Sequence, residues 1–150
     1  LPGVARSFGS KGGTARTKPS VENRIESRRF PVFERKDTKM TEELATKKCK
    51  PCSGDTPPLK GEELREYSAR VGEEWKVVDE HHLEAEFSFE DFQGALDFTN
   101  AVGEIAEEEQ HHPEICLTWG RAMVRIWTHA IDGLSESDFI LAAKIDQLKS

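Results

Sequence analysis

Glu107–Asp138 reads EEEQHHPEICLTWGRAMVRIWTHAIDGLSESD, and its pattern decides the fold. Glu107 to Gln110 are four polar residues that close a helical pattern, and Pro113 pushes His112 into extended backbone geometry. Ile115, Leu117 and Trp119 then alternate as a strand, Gly120-Arg121 offers a tight turn, and Ala122 to His129 makes a second strand. In that strand Ala122, Val124, Ile126 and Thr128 share one face, with Met123, Arg125, Trp127 and His129 on the other. Ser135 opens a last helix through an S-x-x-D box to Asp138, with Leu134 and Phe139 at the two positions of a hydrophobic staple.

Working outward, Ser88 to Glu109 reads as a helix, with Ser88 and Asp91 approximating a capping box. Phe92, Ala95, Leu96, Thr99, Val102 and Ala106 trace its apolar face. Before it come two short strands, the first alternating at Trp75 and Val77. In the second, Leu83, Ala85 and Phe87 face the core and His82, Glu84 and Glu86 face water. Leu64, Tyr67 and Val71 recur at helical spacing, with Gly72 as a stop, and Met40 to Pro58 reads as linker. The order is α-β-β-α-β-β-α. It predicts an α+β domain over residues 40–150, a four-stranded antiparallel sheet with helices on one face.

The net charge of −7 is unevenly split, with ten Lys/Arg against four Asp/Glu in residues 1–39 and eleven against twenty-four thereafter. So acidic a body repels phosphate backbones, which argues against direct nucleic-acid binding. No apolar run reaches the ~18 residues that a membrane span requires. Three cysteines are too few for a disulfide framework, and Cys49-x-x-Cys52 has no second pair to complete a zinc site, so ordinary thiols in a reducing compartment are expected. The first 21 residues hold no acid and four basic residues, as in an organellar transit peptide; a disordered extension is the alternative for residues 1–39. Mitochondrion or another organelle is therefore the expected location, with the cytoplasm as alternative.

Three of the five histidines fall in the opening stretch, at 111, 112 and 129. Imidazole changes charge near neutral pH, so converging histidines suit proton transfer or metal binding. Glu107, Glu114 and Asp138 are within sequence reach as further metal ligands, but no two histidines share an i, i+4 helical face. Proton transfer contributes roughly 10²–10⁴-fold, on the scale of an easy elimination or tautomerisation. Asp138 is either a helix cap or part of the site. Trp119 and Trp127 are either core residues or a wall for a planar heterocycle, and Cys116 reads as filler on the polar face.

At these residues the sequence resembles the pterin-4a-carbinolamine dehydratase family. Glu107, His111-His112-Pro113, Trp119, His129 and Asp138 follow its motif without a gap, and the likeness extends over roughly residues 44–149, KKCKPC included. Gln110 stands where some members carry an acid. The resemblance implies an α+β fold that needs no metal or cofactor and dehydrates 4a-hydroxytetrahydropterin to quinonoid dihydropterin. By carry-over His111 and His129 transfer protons, His112 holds the pterin and Asp138 orients His129. Glu107, Pro113, Trp119, Thr128 and Ala130 line the pocket. Family members form homodimers or homotetramers.

Animal relatives also stabilise a transcription-factor dimer and plastid relatives assist enzyme assembly, so a non-catalytic binding protein on the same fold is the alternative, and a metal-dependent hydrolase a third. His81 and His82, set among Asp79, Glu80 and Glu84, read as solvated surface groups. A His81→Ala change is therefore expected to leave any activity almost untouched.

Overall fold

The computed structural model describes residues 38–51 and 53–149. The expectations for residues 1–37 (disordered extension or transit-peptide remnant) and for Cys52 lie outside the described residues. Along the chain run α1 (Thr38–Ala45), α2 (Gly61–Ser68), β1 (Lys76–Val78), β2 (His82–Ser88), α3 (Phe92–Glu109), β3 (Glu114–Thr118), β4 (Arg121–Ile126) and α4 (Glu136–Gln147). The sheet is antiparallel throughout, in the order β1-β2-β4-β3. The α+β class and its four-stranded sheet with helices on one face are as the alternation predicts.

Leu83, Ala85 and Phe87 of β2 face Ala122, Val124 and Ile126 of β4, and all six are at most 2% exposed. Alternation put them on one face, and burying that face is the main favourable term in folding. Phe98 of α3 closes on them, its ring 4.7 Å from Phe87. Ala142, Ala143 and Ile145 of α4 complete the same core.

Four local expectations are corrected. The first described helix, α1, occupies part of the supposed linker, because Thr41, Leu44 and Ala45 recur at helical spacing and bury against α4. Helix α3 starts three residues later than the Ser88 box implies. Asp91 is its N-cap, accepting Gly94 N at 2.7 Å. Phe92, first residue of the helix, is 44% exposed, and Phe98 and Ala101 are buried alongside Ala95, Val102 and Ala106. The β3–β4 turn falls at Trp119-Gly120, one residue early, since Thr118 pairs with Arg121 and Gly120 takes the positive φ of 68°. Strand β4 stops at Ile126, and His129 begins a 3-10 turn over His129–Ile131.

Glu109, one of the four polar residues that close the helix, is 6% exposed. Its carboxylate accepts Cys49 N at 2.8 Å and pairs with Lys144 at 2.9 Å and Lys48 at 3.3 Å, tying the KKCKPC segment to α3 and α4. Cys49 docks with it, its Sγ 3.4 Å from Ser137 O, and burial followed by the charge of Glu109 pushes the thiol up to about 12. A thiol held so high is a poor nucleophile.

Replacing Asp91 by Ala is expected to cost ~1 kcal/mol in urea unfolding, and Ser88→Ala a few tenths at most. Burial works against the ionised form of Glu109, but the Cys49 amide and the two lysines outweigh it and bring its pKa from 4.5 down to about 2. This stabilisation is complete above about 4.5 and is lost as the pH falls toward about 2. Glu109→Gln should therefore flatten that part of the acid-unfolding curve, followed by circular dichroism.

Candidate active site

At the N-terminus of α4 the Ser135–Asp138 capping box closes with both of its hydrogen bonds present. Asp138 is 0% exposed, and a buried carboxylate is tolerable only when donors surround it. Its Oδ2 accepts Ser135 N at 2.7 Å and the Thr128 hydroxyl at 2.8 Å. The Ser135 hydroxyl lies 2.8 Å from Thr128 Oγ1 and completes the cluster. The remaining oxygen, Oδ1, is 2.6 Å from His111 Nε2, whose side chain is 16% exposed.

The local sequence delivers His111 to that carboxylate. Gln110 ends α3 in the left-handed region (φ 53°, ψ 36°), and its side chain turns back to donate to Glu107 O at 2.7 Å. His111 N donates to Ala106 O at 3.1 Å, and the chain then runs extended through Pro113 into β3. His112 diverges toward solvent, and its Nε2 reaches Glu107 Oε1 at 2.7 Å. Each carboxylate is an acceptor, so each imidazole carries its proton on Nε2 and leaves the Nδ1 lone pair open. The two residues thus form two His–carboxylate pairs, one buried and one exposed.

His129 departs from the expected arrangement. Asp138 orients His111 rather than His129. The His129 ring instead lies on Trp127, with centroids 4.5 Å apart and planes at 40°. It remains close along the chain to the buried cluster, because the preceding residue, Thr128, is the one bonded to Asp138. Thr128 N donates to Gly133 O at 2.9 Å, which pinches residues 128–133 into a loop. A side chain at Gly133 would meet Pro58, whose Cβ would lie 2.8 Å from the added carbon. Thr128 is 6% exposed, so its hydroxyl supports Asp138 and does not line an open pocket. Ala130 is exposed beside His129, and Pro113 is half-buried beside His112.

Trp119 is placed at the opposite end of the β3–β4 hairpin from these histidines and is 73% exposed. Within one chain it walls nothing. The tryptophan that meets a site histidine is Trp127. Also unforeseen is a cluster around it. His81 and His82 are half-buried, with centroids 5.7 and 6.2 Å from Trp127, and His81 Nε2 lies 3.1 Å from Asp132 Oδ1. The antiparallel register that pairs Leu83 with Ile126 sets His82 opposite Trp127, the one signal that strand pairing would have supplied.

Among the described residues no three His, Cys, Asp or Glu side chains converge as a ligand set. Glu107 and Asp138 are engaged with different histidines. Two surface cavities, of about 180 and 230 Å³, are lined by other residues: one by Met40 and Arg70 among others, the second by Glu114, Cys116 and Met123 on the outer sheet face. No described helix is long and apolar enough to cross a membrane.

The model of the family described as pterin 4 alpha carbinolamine dehydratase matches residues 57–148. A protein of Rubrobacter xylanophilus that carries the dehydratase's name is 61% identical over 106 residues, covering 71% of this chain and 98% of its own length. A second, from Alkaliphilus metalliredigens, is 53% identical over 107 residues, with 71% and 96% covered. Among solved structures, a Brucella melitensis protein titled transcriptional coactivator/pterin dehydratase superposes with a TM-score of 0.58 at 29% identity, covering 62% of this chain and 99% of its own. With its fold, its His-His-Pro junction and a match over more than half its length, the chain belongs to the pterin-4a-carbinolamine dehydratase family.

Proposed function

We propose that the chain is a hydro-lyase that removes water from 4a-hydroxytetrahydropterin to give quinonoid dihydropterin. The observation that carries the reading is the hydrogen bond of 2.6 Å between His111 Nε2 and the fully buried Asp138. It holds one imidazole in a single tautomer, with Nδ1 free to take or return a proton. Breaking the C4a–O bond needs a proton on the departing hydroxyl, which leaves as water. The N5 proton goes to a base as the N5=C4a double bond forms. One proton enters and one leaves, so an imidazole–imidazolium pair ends the cycle unchanged. His111 and His129 fill these two roles. His112, held by Glu107, binds the pterin beside Pro113, and Ala130 lies at the rim. General acid–base catalysis supplies about 10²–10⁴-fold, roughly 3–5 kcal/mol of barrier, which suits an elimination whose leaving group is a hydroxyl next to nitrogen.

We further read the working form as a homodimer or homotetramer. Strands β1 and β3 leave open sheet edges, and Ile115 and Leu117 on β3 are only half-buried on the core face. We read the acid-poor, basic N-terminal stretch as an organelle address, the cytoplasm being the alternative. The second functional reading, a binding protein on the same fold, draws on the name coactivator that the Brucella melitensis protein carries.

Stopped-flow dehydration of synthetic 4a-carbinolamine, with and without chelator, tests the reading. Turnover unaffected by chelator is expected, and His111→Ala should lower it by about 10²–10⁴-fold without unfolding the protein. A chain inactive on the carbinolamine overturns the hydro-lyase in favour of the binding protein. Asp138→Asn carries a sharper prediction. Ser135 N can only donate, so the amide oxygen must stay at the Oδ2 position and its NH₂ must face His111. The imidazole then flips its tautomer, and Nδ1 loses its lone pair. Activity should fall about as far as in His111→Ala, while stability drops by only roughly 0.5–2 kcal/mol.

A further inference from the structure

His81 and His82 have no part in the proton transfers above, yet both lie against the residue that carries His129. The reversal between β1 and β2 closes through His81 N donating to Val78 O at 2.9 Å, with Asp79 and Glu80 at φ of 51° and 50°. Positive φ at both central residues is the geometry of a tight two-residue hairpin turn, whose twist matches that of the flanking strands. The result is a hairpin tip leaning over Trp127. His81 Nδ1 and His82 Nδ1 are 3.1 Å apart, so one ring donates to the other and the two are fixed as a unit. His81 Nε2 then reaches Asp132 Oδ1 at 3.1 Å. Asp132 ends the 3-10 turn that His129 begins, and its backbone N donates to His129 O at 3.3 Å.

Among the described residues no carboxylate holds the His129 imidazole. Its ring lies on that of Trp127, whereas His111 and His112 each have an acidic partner. The geometry points to the β1–β2 tip as the device that sets His129 in its working position, with His81 as a positioning residue acting through Asp132 and Trp127. The inference rests on the reading of His129 as a proton-transfer group. It reverses the expectation that His81 is a bystander. A polarised His81–Asp132 contact fixes the turn, and the two imidazoles against Trp127 keep the indole from swinging away with His129.

The test uses the full chain with His81→Ala, Asp132→Ala, the double variant and His81→Gln. Stopped-flow dehydration gives kcat and KM. The ring-proton resonances of His129, assigned by their loss in His129→Asn, report its place over the indole. His81→Ala should lower kcat roughly tenfold or more with KM and melting midpoint little changed, as displacement of a reacting group does. The double variant should be no worse than the poorer single one, because both break the same link. His81→Gln, whose amide can still donate to Asp132, should recover most of the rate. In His81→Ala the His129 resonances should move from their ring-current-shifted positions toward those of a free imidazole. Wild-type kcat in His81→Ala, additive losses in the double variant, or unmoved His129 resonances would each overturn the inference. If the wild-type chain fails to dehydrate the carbinolamine, it is the hydro-lyase reading that falls, and the resonances still decide whether the tip holds His129.

Discussion

One buried carboxylate holds the functional end of this molecule together. Removing Asp138 from water carries a desolvation cost of several kcal/mol, which the protein offsets by aiming donors from three places at it. Ser135 comes from the start of α4, Thr128 from the chain beyond β4, and His111 from the exit of α3. The same group therefore caps a helix, pins the loop after the central strand and sets an imidazole tautomer. Since the three donors come from three segments, the position of His111 depends on the whole α/β packing and not on the His-His-Pro junction alone.

The sheet supplies the rigidity that this arrangement needs. The central strands β2 and β4 carry small and branched residues on the core face, and α3 and α4 close over them. The helix side thus buries the Asp138 cluster, while the outer face stays polar through Glu84–Arg125 and Glu86–Arg121 pairs. At the end of that outer face the pattern changes to Trp127 with its histidines. His111 and His129 are presented from the same end of the sheet by different means: one by a buried charge, the other by an aromatic stack and a hairpin tip.

Glu109 plays a corresponding structural part at the end of α3. Together with Ser137 it binds the KKCKPC segment, with Lys50 N donating to Ser137 Oγ at 3.1 Å and Ser137 Oγ donating to Lys50 O at 3.0 Å. A reading of that segment as linker misses it, because nothing in its own composition shows where its backbone groups find partners. Glu109, one of four polar residues in a row at that helix end, is buried.

The sequence by itself determined the strands, the long helix, the final helix and its capping box, and the presence of histidines at the α3–β3 junction. These follow from periods of two and 3.6 residues and from Pro113, which act over a few residues and need no distant partner. Only the tertiary structure decided the pairings. Asp138 is nine residues from His129 and twenty-seven from His111, yet one carboxylate oxygen goes to the farther histidine while the other takes the Thr128 hydroxyl next to the nearer one. Trp119 and Trp127 alternate alike in sequence, but the turn at Gly120 sends one to the far end of the hairpin. Phe98, absent from the apolar face read from the sequence, is buried, whereas Phe92, placed on that face, is exposed in the first turn after the Asp91 cap. His81 looked like surface because its neighbours in sequence are acids, whereas its neighbours in space are an indole and a loop some fifty residues away.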